Sequence, residues 1–144
     1  MPTPFESAQL NLQLFELRRE PVLRAARLWF TTEFNPESFA DLATLASGER
    51  NASFRMVISY WEMAASLVTT GAIDPTAFLA AHAEIIATFS KIQPFLAEIR
   101  SAIEQPDFCR HMEAVVMEMP NAVQVLTHRR ERIRASANAA RASS

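Results

Sequence analysis

Glu62 is a carboxylate in the run YWEMAASLVTTGAID, residues 60–74, where most of its neighbours are apolar. An acid so placed is either a working group with a perturbed proton affinity or one member of a wetted helical stripe. Its spacing favours the stripe. Arg55, Ser59, Glu62, Ser66 and Thr69 or Thr70 recur at steps of three and four, which lines them up on one face of a helix. Glu62 is therefore read as a solvated or ion-paired structural residue, and the alternative is that the stripe lines a polar pocket between helices. His82 is the second group of interest. It occupies an apolar position between Phe78 and Ile85, where an imidazole serves as a hydrogen-bonded core residue or as a ligand-binding or acid–base group. Arg55, Tyr60, Glu62 and His82 form the candidate ligand-binding set, and no catalytic residue is assigned.

The remaining reactive side chains offer less. None of the three histidines stands at helical spacing from another, and no glutamate lies three residues before one, so the Glu-x-x-His pairs of carboxylate-bridged di-metal bundles are missing. No metal site and no cofactor is expected. His111 follows Asp107 by one turn and is read as a surface Asp–His contact; His128 begins an arginine-rich stretch and is read as solvated. Cys109 is the single cysteine, so it forms no internal disulfide and matches no zinc or redox spacing. Ser59 and Ser66 lie in no G-x-S-x-G elbow. With only Gly48 and Gly71 present, there is no material for a glycine-rich phosphate cradle.

These residues have to be positioned by helices. Scarce glycine and the absence of sustained alternation of apolar and polar residues argue against a sheet. A chain of 144 residues is long enough for one self-supporting core. The expected fold is all-α, a single bundle of five to seven helices over residues 1–134 with a flexible C-terminal tail over 135–144. Prolines punctuate it, mostly where a helix can begin. A first helical region spans about Ser7 to Thr31, kinked or divided at Pro21. Asn35 and Pro36 are expected to open a short helix that ends at Ser47-Gly48.

The helix from about Arg50 to Thr70 carries two apolar seams beside its polar ribbon. Gly71 ends it, and Asp74-Pro75 restarts the chain at once, so the flanking helices should be antiparallel neighbours. Glu62 and His82 then fall at about the same level of the hairpin. From Phe78 a heptad seam runs through His82, Ile85, Phe89, Ile92, Leu96, Ile99 and Ile103, passing Pro94 without losing register. This favours one helix from about Pro75 to Glu104, bent at Pro94, over two separate helices. Gln105-Pro106-Asp107 opens another helix, and Pro120-Asn121 separates it from the last.

Net charge is −2, unevenly spread: residues 121–144 hold five arginines against Glu131, so the body is acidic and the end basic. Arg129, Arg130, Arg132 and Arg134 suit an acidic protein partner. Without a second basic patch or interleaved aromatics, nucleic-acid binding is not expected. No apolar run reaches the roughly 18 residues of a membrane span, and the first residues do not read as a secretory signal, so the expected location is the cytoplasm.

The stretch FRMVISYWEMAASLVTTGAID, followed by IQPFLAEIR, resembles an uncharacterised bacterial family of small all-helical proteins, classed as a domain of unknown function, over residues 54–100. The resemblance implies a helical fold and no activity. Some members of that family look membrane-anchored through an N-terminal segment, which is not expected here. The leading functional reading is a self-associating helical interaction or regulatory module, expected as a homodimer because Leu10, Leu14, Leu17, Val22, Trp29 and Phe30 exceed what a small bundle buries easily. The alternative is a small-molecule-binding protein or enzyme with a polar inter-helix site near Glu62 and His82.

Overall fold

The computed structural model describes all 144 residues; 75% of them are helical and there is no strand. The nine α-helices are α1 (Pro4–Arg18), α2 (Pro21–Thr32), α3 (Phe39–Leu45), α4 (Asn51–Thr69), α5 (Pro75–Ala81), α6 (Glu84–Ile92), α7 (Leu96–Ala102), α8 (Arg110–Met117) and α9 (Ala122–Ala142). A 3-10 turn, Gln93–Phe95, joins α6 to α7, so these two act as one rod and eight rods result. The expected five to seven is therefore an undercount.

Local chemistry explains most boundaries. Thr3 caps α1 with a reciprocal Thr3–Glu6 box, and the Glu20 carboxylate accepts from the N–H groups of Val22 and Leu23 to start α2 at Pro21. Pro21 thus divides the first helical region. The short third helix begins later than its sequence suggests. Ser38 and Asp41 form the capping box, and Asn35-Pro36 lies outside the helix. The box satisfies two orphan N–H groups, where an asparagine cap alone satisfies one. Gly71 closes α4 at φ 87° and Asp74 caps α5 through the N–H of Ala77. Nothing would crowd a Cβ at Gly71, so it is the left-handed backbone alone that calls for glycine there.

The long helix after Asp74 is broken, at His82-Ala83 and not at Pro94. Pro94 is exposed and absorbed by the 3-10 turn, whose tighter winding accommodates the missing N–H. At the actual break there is neither proline nor glycine, and His82 leaves helical geometry at φ −130°, ψ 51°. The seam nevertheless holds. Phe78, His82, Ile85, Phe89, Ile92, Leu96 and Ile99 are all buried, and only Ile103 emerges, 43% exposed. The helix after Gln105-Pro106-Asp107 also starts late, at Arg110, because Cys109 adopts a left-handed conformation, φ 60°. In the last helix, residues 135–144 are helical to Ala142 with nearly every side chain exposed, so tertiary packing adds little to that stretch.

The core is one cluster of 26 buried residues centred on α4, whose Val57, Trp61, Ala64 and Ala65 are essentially inaccessible. α8 and α2 pack on α4, α9 packs on α6, and α1 lies along α5. Of the apolar side chains of the first two helices, Leu14, Trp29 and Phe30 are buried, while Leu17 and Val22 stay in solvent together with Phe5, Leu12, Phe15 and Leu28.

Candidate functional site

The polar stripe of α4 lies beside α8. Glu62, half-buried, accepts hydrogen bonds from two successive main-chain amides at the start of α8: His111 N at 3.0 Å and Met112 N at 2.8 Å. The capping position of α8 is Cys109, which gives no side-chain cap, so a carboxylate from another helix supplies it and complements the helix dipole. One turn or two further along the stripe, Ser66 bonds back to Met63 O, and Thr69 Oγ1 meets His111 Nδ1 at 2.6 Å. The partner of His111 is thus Thr69, not Asp107, because Glu62 fixes the end of α8 against α4. His128 is exposed.

Arg55 is exposed and forms no ion pair. With Glu62 it lines a mostly apolar cleft of about 840 Å³ between α3, α4, α7 and the 105–109 turn. Cys109 closes its floor, and burial pushes that thiol's pKa far up, so it stays protonated and unreactive.

Tyr60 and His82 occupy a different region. Tyr60 donates its hydroxyl to Leu14 O, and burial raises its pKa to about 12. Its ring meets Trp61 at 5.0 Å between centroids, and Trp61 in turn meets the His82 ring at 6.0 Å. Beside them Glu84 accepts from Arg18 at 3.2 Å and from Arg27 Nε at 2.9 Å, while Arg27 also donates to Arg18 O. The carboxylate nearest His82 in effect is therefore Glu84. His82 meets Trp61, the residue before Glu62, but Glu62 turns onto α8, so the four candidates separate into two pairs.

His82 is fully buried, and by strict geometry neither ring nitrogen has a hydrogen-bond partner, although the Asn11 carbonyl is near enough to favour a charged ring. Burial, reinforced by Arg18, lowers its pKa below the usual histidine value. The unfolded chain then takes up this proton first on acidification. Stability from His82 is complete above about pH 6.5 and is lost as pH falls from there through the folded-state pKa, with a slope of up to about 1.4 kcal/mol per pH unit. Urea unfolding at about pH 7.5 and 5.5 should show this loss in the wild type and a shallower one in His82→Asn; equal slopes would rule out a buried neutral imidazole.

His82 also belongs to a second cleft, of about 700 Å³, between α1 and α5. Ser7 and Asn11 line it from α1, with Asp74 and His82 from the two ends of α5, and Leu12 and Phe15 form its outer wall. Ser7 and Asn11 are buried, Ser7 accepts from Asp74 N at 3.1 Å, and Asn11 Oδ1 has no partner. Sequence reading did not single out Ser7, Asn11 or Asp74 for this place; the i, i+4 spacing of Ser7 and Asn11, in line with Leu14 on one face of α1, was the available signal.

Lys91, the chain's single lysine, is buried and donates to Phe30 O (2.6 Å), Phe34 O (2.7 Å) and Thr31 O (3.2 Å) at the end of α2. Arg130 is also engaged internally, donating to Ser90 O at 2.9 Å, and Arg134 stands 3.9 Å from Glu37. Of the basic cluster, Arg132 is exposed and Arg129 half-buried.

Residues 4–119 match the family model described as a domain of unknown function, DUF4760. The chain belongs to the DUF4760 family. This extends the resemblance seen at residues 54–100 to α1–α8, and it includes every residue of the α1–α5 cleft except Pro2. No curated protein and no solved structure shows a significant match to the chain. No helix of this DUF4760 chain is long and apolar enough to cross a membrane.

Proposed function

We propose that this DUF4760 chain is a non-catalytic binding module, a helical interaction or regulatory unit that holds a small ligand between α1 and α5. The observation that carries the reading is the make-up of that cleft. It has an open apolar wall and a floor where Asn11 and His82 are buried without hydrogen-bond partners. Native proteins leave few buried polar groups unsatisfied, and those few call for an explanation. Concave sites of a few hundred cubic ångströms with apolar walls and sparse polar groups are where small ligands bind. Elsewhere the charged side chains of the interior already hold helix ends or one another, which leaves them in structural roles. Ala81→Trp, at an exposed position on the rim, should fill the cleft without touching the core. A fragment screen by ligand-observed NMR should give hits that this variant loses; hits unaffected by it would defeat the reading.

A second reading, self-association, is favoured by Leu17 and Val22 at the α1–α2 corner and by Leu28 further along α2, each more than half exposed. Apolar surface left in water is a common mark of a contact, and a two-fold dimer is the commonest way to cover it. In this reading the free arginines of α9 contribute secondarily toward an acidic surface, an attraction weakened by salt. Light scattering at micromolar concentration should give the dimer mass at low and high salt, and Leu17→Asp with Val22→Asp should give the monomer. A wild-type monomer under both salt conditions sinks the self-association.

A further inference from the structure

The walls and floor of the α1–α5 cleft differ in charge and polarity along its length. Asp74 is the only side chain lining it that carries a formal charge at neutral pH, with His82 held neutral by burial. One Asp74 carboxylate oxygen accepts from Ala77 N at 2.9 Å, and the other accepts nothing from the chain. Asn11 Oδ1 is a second acceptor without a donor, and a neutral imidazole always presents one acceptor nitrogen. The floor therefore has unmet acceptors and one negative charge, while the remaining imidazole N–H stands near the Asn11 carbonyl. The wall is apolar: Ala8, Leu12 and Phe15 from α1 face Ala77 and Ala81 from α5, and the nine residues from Ser7 to Phe15 span about 12 Å of helix. At the Phe15 end a cation is already in place, since the Arg18 guanidinium lies 4.7 Å over the Phe15 ring and is paired with Glu84.

From this polarity we propose that the cleft binds a primary ammonium on an aryl or alkyl body, its nitrogen at the Asp74 end and its body running past Asn11 along Leu12 and Phe15. An ammonium brings three N–H donors and one positive charge, which meets what the floor lacks. An anion would meet Asp74 at one end and no unpaired cation at the other. The proposal rests on reading the cleft as a ligand site, and it adds the ligand's charge and orientation.

The test is a titration of the full chain with three probes of similar body and different head: phenylbutylamine, phenylbutanol and phenylpentanoate. It is followed through the backbone amides of Ser7, Asn11, Asp74 and His82. Phenylbutylamine should shift these amides, phenylbutanol more weakly, and phenylpentanoate not at all. Asp74→Asn removes the charge while keeping an N-cap of equal quality, and should weaken phenylbutylamine binding about tenfold; Ala81→Trp should abolish it. Anion binding as tight as amine binding, or an amine affinity unchanged by Asp74→Asn, overturns the ammonium assignment and leaves the cleft as a site for another ligand. If none of the three probes moves these amides in the wild type, the ligand site itself is lost and the ammonium with it. The probe series decides the matter even if a variant folds poorly.

Discussion

Lys91→Met is expected to lower the stability of the folded chain by about 2–4 kcal/mol. The substitution keeps most of the side chain's length and apolar stem but removes a donor from three carbonyls. Phe30 O and Phe34 O are bonded in fully buried surroundings, and Thr31 O lies closer to solvent. A buried acceptor left unpaired costs about 1–3 kcal/mol, and two such acceptors outweigh what is regained by no longer burying an ammonium. That regained part is real: burial pulls the Lys91 pKa down to about 8. With the folded-state value below the unfolded one, the unfolded chain keeps its proton longer, so the Lys91 contribution to stability rises between pH 8 and the unfolded value of about 10.5. The gap between wild type and Lys91→Met should therefore widen over that range. Cys109 has the opposite linkage above about pH 8.5, but it is common to both proteins and cancels in the difference. Urea unfolding at about pH 7 and 9 measures both effects; a variant as stable as the wild type would show that the α2 end does not depend on Lys91.

Glu62→Ala should cost about 2 kcal/mol, more than an ordinary cap, because two charge-assisted hydrogen bonds to the start of α8 are lost together. The site is only half-buried, so water can replace part of what is removed, which keeps the loss below that expected at Lys91. Glu62→Gln retains one acceptor oxygen and no charge and should fall between. The loss should also be local. Amide exchange at His111 and Met112 should accelerate in Glu62→Ala well before global unfolding does, since these are the two N–H groups that the carboxylate protects. Unchanged protection there would mean that α8 holds its own first turn and that Glu62 is a surface residue.

The sequence by itself determined the helices and most of their inward faces. Apolar residues at steps of three and four predict buried sides because the helical period depends only on backbone geometry. The seam from Phe78 to Ile99 stays buried even where the helix carrying it breaks at His82-Ala83. Caps and stops at Gly71 and Asp74-Pro75 were equally legible, since turn chemistry acts within a few residues. The break itself was not, because neither proline nor glycine marks it. The partners of polar side chains were not legible either. Glu62 bonds to residues 49 and 50 positions away, and Lys91 to carbonyls 57 to 61 away. A lone lysine within IIATFSKIQPF in a chain otherwise using arginine was a signal of burial, but not of what it would hold. Periodicity fixes the face on which a side chain stands; which helix end or cleft meets that face is decided by how the rods pack. Tertiary structure therefore assigned Glu62 to the start of α8 and Lys91 to the end of α2, and it left Asn11 and His82 without partners on the floor of the α1–α5 cleft.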